Sequence, residues 1–242
     1  MAVGADRRNP HASLGAGGGT AVRLIAVLVV AWSATDAGPG VKVPRGPAPV
    51  IDGRIDSAEW AGAAVEQLAN GLTVRLRHDG QFLFLAVSSS AEGFPSVCVA
   101  RADTVRILHA SAALGAVAYT RRGGGWSSTD TAFTYGMRNT ALTEGAREER
   151  MAYLAQHGWV ASTARMGQGR NHELQIALVL TGPTPRIALG YFRMAGEGDR
   201  VTWPASLTGN AEGCAELRLI QGWVVEHPRF EPAIYPELEL IP

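Results

Sequence analysis

Glycoside hydrolysis needs two carboxylates facing each other across the scissile bond, one with a raised pKa. The chain offers Asp103, Glu173 and Glu216 in or beside apolar segments, and none sits in an acid or nucleophile motif. Glu173 opens an apolar run and reads as a structural or ligand-orienting group. Serine-type nucleophilic chemistry has no Gly-x-Ser-x-Gly turn to expose a hydroxyl. His109-Ala110-Ser111 only places the two residue types side by side in sequence. Arg121-Arg122 before Gly123-Gly124-Gly125 has the composition of an anion cradle, but a solvated hairpin tip explains it better. Cys98 and Cys214 are the 2 cysteines of the chain. With no Cys/His cluster they make no zinc site; they are either one disulfide closing a long loop or two buried thiols. A non-catalytic protein is expected.

The elements that must position these residues have mostly a period of two. Leu72, Val74 and Leu76 alternate with Thr73, Arg75 and Arg77, the pattern of a half-buried strand. His78-Asp79-Gly80-Gln81 is a turn. Phe82-Leu83-Phe84-Leu85-Ala86-Val87 is apolar on both faces, which suits a central strand. Further strands are expected at 97–100, 104–109, 116–120, 132–135, 159–163, 173–180, 186–192 and 214–220. Residues 143–158 instead have helical spacing, with Gly158 as a stop. Asp56 and Glu59 read as a capping box opening a short helix that carries Trp60 as a packing anchor. The expected fold is all-β: an antiparallel two-sheet, jelly-roll-like β-sandwich with one or two short helices.

The N-terminus reads differently. Arg7, Arg8 and Arg23 precede the apolar run 24–32, and small residues follow, the layout of a secretory signal. That run is shorter than the roughly 20 residues a membrane-spanning helix needs. We expect export to the periplasm or the extracellular space through a signal peptide at 1–37. A linker at 38–46, a sandwich at 47–222 and a Pro-containing surface tail at 223–242 would follow. Lys+Arg 22 balances Asp+Glu 22, so no net field attracts nucleic acid or an anionic membrane.

The order Pro49-x-Ile51-Asp52-Gly53-x-Ile55-Asp56-x-x-Glu59-Trp60, then the Phe82–Val87 hairpin strand, then Asp103-Thr104-Val105-Arg106-Ile107, resembles carbohydrate-binding module family 9 and its DOMON-like relatives. Glu173, Gly190-Tyr191-Phe192, Trp203-Pro204 and Cys214-Ala215-Glu216-Leu217 follow in the family's order. The resemblance implies a sandwich that holds a glycan on aromatic and polar side chains, often beside structural calcium. Trp126, Tyr135, Tyr191 and Trp203 are then the candidate stacking surfaces, with Glu173 and Asp103 as polar partners. An aromatic face takes the apolar side of a pyranose while neighbouring carboxylates bond its hydroxyls. Trp60, Trp159 and Trp223 are assigned to packing. Some DOMON-like sandwiches bind haem and pass electrons; axial ligands here would come from His78, His109, His172, Met137, Met166 and Met194. An envelope scaffold without a small ligand is the remaining alternative.

Overall fold

A computed structural model describes residues 40–138, 145–163, 169–194, 200–208 and 212–242. The first half of the chain gives β1 (Val41–Pro44), β2 (Ala64–Gln67), β3 (Thr73–His78), β4 (Phe82–Ser88), β5 (Gly93–Arg101), β6 (Thr104–Ala110) and β7 (Ala113–Arg122). Next come β8 (Gly125–Ser127), β9 (Thr134–Arg138), α1 (Ala146–His157), β10 (Trp159–Thr163) and β11 (Asn171–Ala177). The chain closes with α2 (Leu178–Thr181), β12 (Arg186–Arg193), β13 (Arg200–Trp203), α3 (Leu217–Ile220) and β14 (Leu238–Ile241).

These strands make an antiparallel β-sandwich, as the period-two pattern predicts. The first sheet runs β10-β11-β4-β3-β2, and the second β13-β12-β5-β6-β7. Both β8 and β9 pair with the outer side of β7, β8 against Thr120–Arg122 and β9 against Ala113–Ala116. A parallel pair, β1 with β14, bridges to β3 through Arg45–His78 and to β12 through Arg186–Glu237, so it ties the two sheets together. The expected linker at 38–46 therefore contains a strand, with Val43 buried in the core.

The core explains why two strands are apolar throughout. Leu83, Leu85 and Val87 of β4 point between the sheets with Leu174, Ile176, Val97 and Leu189. Phe84 and Ala86 point outward and are covered by Trp60 of the opening segment. In β5, Val97 and Val99 point inward while Cys98 and Ala100 meet a second cluster on the far side of the second sheet. Both outer faces are thus partly roofed, and a strand roofed on both sides has no polar alternation to show.

Four local expectations change, the first being that the strand expected at 173–180 stops at Ala177, where α2 begins. Residues 214–220 are not a strand but a 3-10 turn at Gly213–Ala215 and the single-turn α3. The Glu212 side chain accepts from Cys214 N, and the Glu216 side chain from Arg218 N; these caps favour helical turns. The segment after Asp56 is a turn rather than a helix: Asp56 Oδ1 accepts from Ala58 N at 2.7 Å, and Gly62 at φ +74° redirects the chain into β2. The tail does not simply follow the surface, because Phe230 and Tyr235 are buried and roof the second sheet, and Leu238 is buried in the main core. The helix ending at Gly158 agrees with its expected stop: Gly158 adopts φ 73° and donates to Leu154 O.

Candidate functional site

The C-terminal segment is held on the second sheet by side chains from widely separated parts of the chain. Cys98 of β5 and Cys214 form a disulfide, 116 residues apart in sequence. The buried Glu212 carboxylate accepts from Cys214 N at 2.6 Å, Glu231 N at 3.2 Å and the Tyr235 hydroxyl at 2.6 Å. Burial pushes the Glu212 carboxyl up, opposed by these hydrogen bonds. The Tyr119 hydroxyl of β7 accepts from Val225 N and donates to Val225 O, both at 3.1 Å. The segment therefore crosses the sheet in a fixed path.

Gly222 and Trp223 lie where that path passes β9. The Tyr135 hydroxyl donates to Gly222 O at 3.3 Å, and Gly222 adopts φ +81°. A Cβ at Gly222 would stand 2.4 Å from the Tyr135 hydroxyl and 3.0 Å from His109 Nε2, so only glycine fits. Gly115 is likewise open because the Tyr135 ring lies over it, 2.7 Å from where a Cβ would sit. Trp223, next in the chain, is 58% exposed, and Tyr135 is 48% exposed.

Beyond Trp223 a cleft of about 380 Å³ opens between residues 127–131 and 224–227. One wall is the β8–β9 connection, with Ser127, Ser128, Thr129, Asp130 and Thr131; the other carries Glu226 and His227. Four hydroxyls, two carboxylates and an imidazole belong to the residues that line the cleft, and the exposed Trp223 directly precedes Val224 of its wall in the chain. The donor and acceptor set suits a polyhydroxylated ligand, and a flat indole suits its apolar face.

The expected site residues do not converge. Trp126 is only 8% exposed: its ring meets Phe230 edge-on and its indole N–H donates to Phe230 O at 3.1 Å. The tail that roofs β7 covers it, so its face cannot stack on a sugar. Tyr191 is fully buried with its hydroxyl donating to Ala91 O, and Trp203 packs in the core between the sheets. Asp103 sits at the β5–β6 turn, where its backbone oxygen accepts from Arg121 N. Tyr135 alone of the four aromatics offers an open face, and it is joined by Trp223, which sequence reasoning assigned to packing. A glycine before a tryptophan in a proline-rich tail was the available signal.

Glu173 is a structural clasp. It lies on the outer face of the first sheet, fully buried, and accepts from Gly53 N and Trp60 Nε1 at 2.8 Å and from Asp52 N at 3.1 Å. Glu216 caps α3 on the other side of the sandwich, so it does not face Glu173. Ser111 bonds Ala113 O rather than His109. His109 Nδ1 instead meets Ser96 Oγ at 2.8 Å, and burial pushes this imidazole down to about 4. Both residues are buried, and Ser96 Oγ also donates to Ile220 O, so the pair fastens α3 to the sheet.

Among the described residues, the candidate calcium and haem ligands are not brought together at one point: no three His, Cys, Asp or Glu side chains gather. His78 Nε2 is engaged by Ile241 O and His172 Nε2 by Gly169 O, and His109 is held as above. Met194 is exposed, and Met166 and the expected signal at 1–37 lie outside the described residues.

A larger cavity, about 690 Å³, opens between the edges of β2 and β13. Its walls are chiefly Val65, Trp203, Pro204 and Ile234, with Lys42 and Glu66 as charged groups. Trp203 shows it little more than an edge, being 4% exposed. It lacks the hydroxyl-rich wall of the smaller cleft.

No protein-family model matches the chain, and no curated protein sequence does. Among solved structures, one described as a "putative carbohydrate-binding protein from Bacteroides uniformis" superposes with a TM-score of 0.44 and 11% identity, covering 84% of this chain and 100% of that one. At that level the likeness carries no argument about the ligand.

Proposed function

We propose that the protein is an exported, non-catalytic module that binds a glycan in the cleft between residues 127–131 and 224–227, with Trp223 as its stacking surface and Tyr135 beside it. One observation carries the reading: the cleft is lined by residues with hydroxyl, carboxylate and imidazole groups, and Trp223, 58% exposed, directly precedes its Val224 in the chain. A solvent-exposed indole costs hydration, and a sugar face removes it from water while the walls satisfy the hydroxyls. The opening motif and the order of later elements, similar to carbohydrate-binding module family 9 and DOMON-like domains, support the same ligand class. Export is supported by the basic-apolar-small layout of 1–37 and by the Cys98–Cys214 disulfide, which persists in oxidising compartments. Binding without turnover is supported by the placement of Glu173 and Glu216 on opposite sides of the sandwich.

A glycan array probed with the purified protein tests this. Binding to a defined glycan, recovered chemically intact after incubation, is the expected result. No binding across the array would overturn the proposal.

A further inference from the structure

A separate cavity lies on the opposite side of the sandwich, over the outer face of the first sheet. It measures about 330 Å³ and is enclosed by the opening segment, the first turns of α1, β10 and β11. Its apolar lining is chiefly Val50, Met151 and Val160; its polar lining is Arg147, Arg150 and Gln175. Val50 and Met151 are 59% and 58% exposed, two of the seven large apolar side chains left open to water among the described residues, and both line this cavity.

The charges are placed to meet an anion at one end. Arg147 and Arg150 are three residues apart in α1 and so share a helix face. Asp52 lies within electrostatic reach of Arg150 and supports its charge against burial. A guanidinium has five N–H donors, so engagement with Asp52 leaves capacity for a second carboxylate. The Gln175 carboxamide adds a donor and an acceptor. The lining of this cavity is chiefly aliphatic and cationic, with no aromatic ring for a pyranose face to stack on. The volume matches the lower end of small-molecule sites.

We infer that this cavity binds a small amphiphilic carboxylate, its head group on Arg147 and Arg150 and its hydrocarbon part against Val50, Met151 and Val160. The ligand class follows from the combination. A purely apolar ligand would bring hydrocarbon against the charged Arg147 and Arg150, and a fully hydrophilic anion would leave Val50 and Met151 in water. This site is independent of the glycan cleft, because the two lie over different sheets.

Titration with hexanoate, followed by backbone amide NMR of the purified protein, tests the inference against the neutral analogue hexanamide. Saturable shifts of amides in 49–52, 147–151 and 175 are expected with hexanoate, and roughly tenfold weaker binding with hexanamide. Arg147→Glu and, separately, Met151→Ser should each weaken hexanoate binding while the glycan cleft keeps its ligand. Both positions are exposed, so the variants keep the fold, checked by an unchanged melting temperature. Absence of saturable shifts, equal affinity for hexanamide, or hexanoate binding unaffected by either variant would overturn the inference.

Discussion

The Trp60 indole N–H donates to Glu173 Oε1 at 2.8 Å, across 113 residues of chain. The backbone N–H groups of Asp52 and Gly53 converge on the other oxygen of the same carboxylate. Asp52-Gly53…Trp60 is therefore a latch over the outer face of the first sheet, with Arg77 reinforcing it through the carbonyls of Pro47, Glu59 and Ala61. Glu212 does the same for the C-terminal segment on the second sheet. Each roof is locked by one buried carboxylate that has three N–H or O–H donors.

Burial pushes Glu173 up to about 7, against 4.5 for the free group. The folded protein thus holds this proton more tightly than the unfolded chain. The resulting stabilisation is complete below about pH 4.5 and is lost as pH rises through about 7. Glu173→Gln is neutral throughout, so the wild type should lose on the order of 3 kcal/mol relative to it across that range. Urea unfolding of both proteins at several pH values checks this; parallel stability profiles would contradict it.

His109 and His172 act in the opposite direction. Burial pushes both down to about 4, from 6.5 in the free group. Their contribution is present above about pH 6.5 and is lost as pH falls through about 4. His172→Gln should flatten the acid limb of the melting-temperature profile. An unchanged acid slope would show that another group governs it.

The Cys98–Cys214 disulfide closes a loop of 116 residues. Replacing both cysteines by alanine should cost about 3–5 kcal/mol in chemical unfolding. Hydrogen exchange should show the loss first in the segment around 212–230, with β4 and β11 still protected. Uniform loss of protection would argue against a locally fastened roof.

Much of the sandwich was legible because its strands are short, alternating and bounded by turns. β10 runs from Trp159 to Thr163 as its pattern predicts, and β4 is central between β11 and β3. The roofs were not legible. Cys214, Leu219 and Ile220 form an apolar series that a strand and two helical turns satisfy equally, and the side-chain caps of Glu212 and Glu216 decide for turns. Trp126 follows a glycine-rich hairpin, where an exposed ring is natural, but it is covered by Phe230, 104 residues away. Trp223 was misassigned for the converse reason: nothing local records that Val224 and Val225 pack partly against the second cluster while the indole stays outside.

Gly222 supplies a test of how Trp223 is presented. Gly222→Ala adds positive-φ strain and drives a methyl into the Tyr135 hydroxyl and His109, whereas Gly124→Ala, at φ +87°, meets nothing within 4 Å. The Gly124 variant should cost about 1 kcal/mol. The Gly222 variant should cost measurably more and weaken glycan binding, as read by thermal unfolding and a binding titration. Equal costs would mean that the close approach of Tyr135 does not constrain the chain.

Trp223→Ala, compared with wild type in a titration against the strongest glycan found on the array, is the most direct test of the cleft. The variant should keep the wild-type melting temperature, because the indole is exposed, and lose up to roughly tenfold in affinity, in line with about 0.5–1.5 kcal/mol for an aromatic contact. Undiminished binding by Trp223→Ala would place the ligand elsewhere and contradict the assignment.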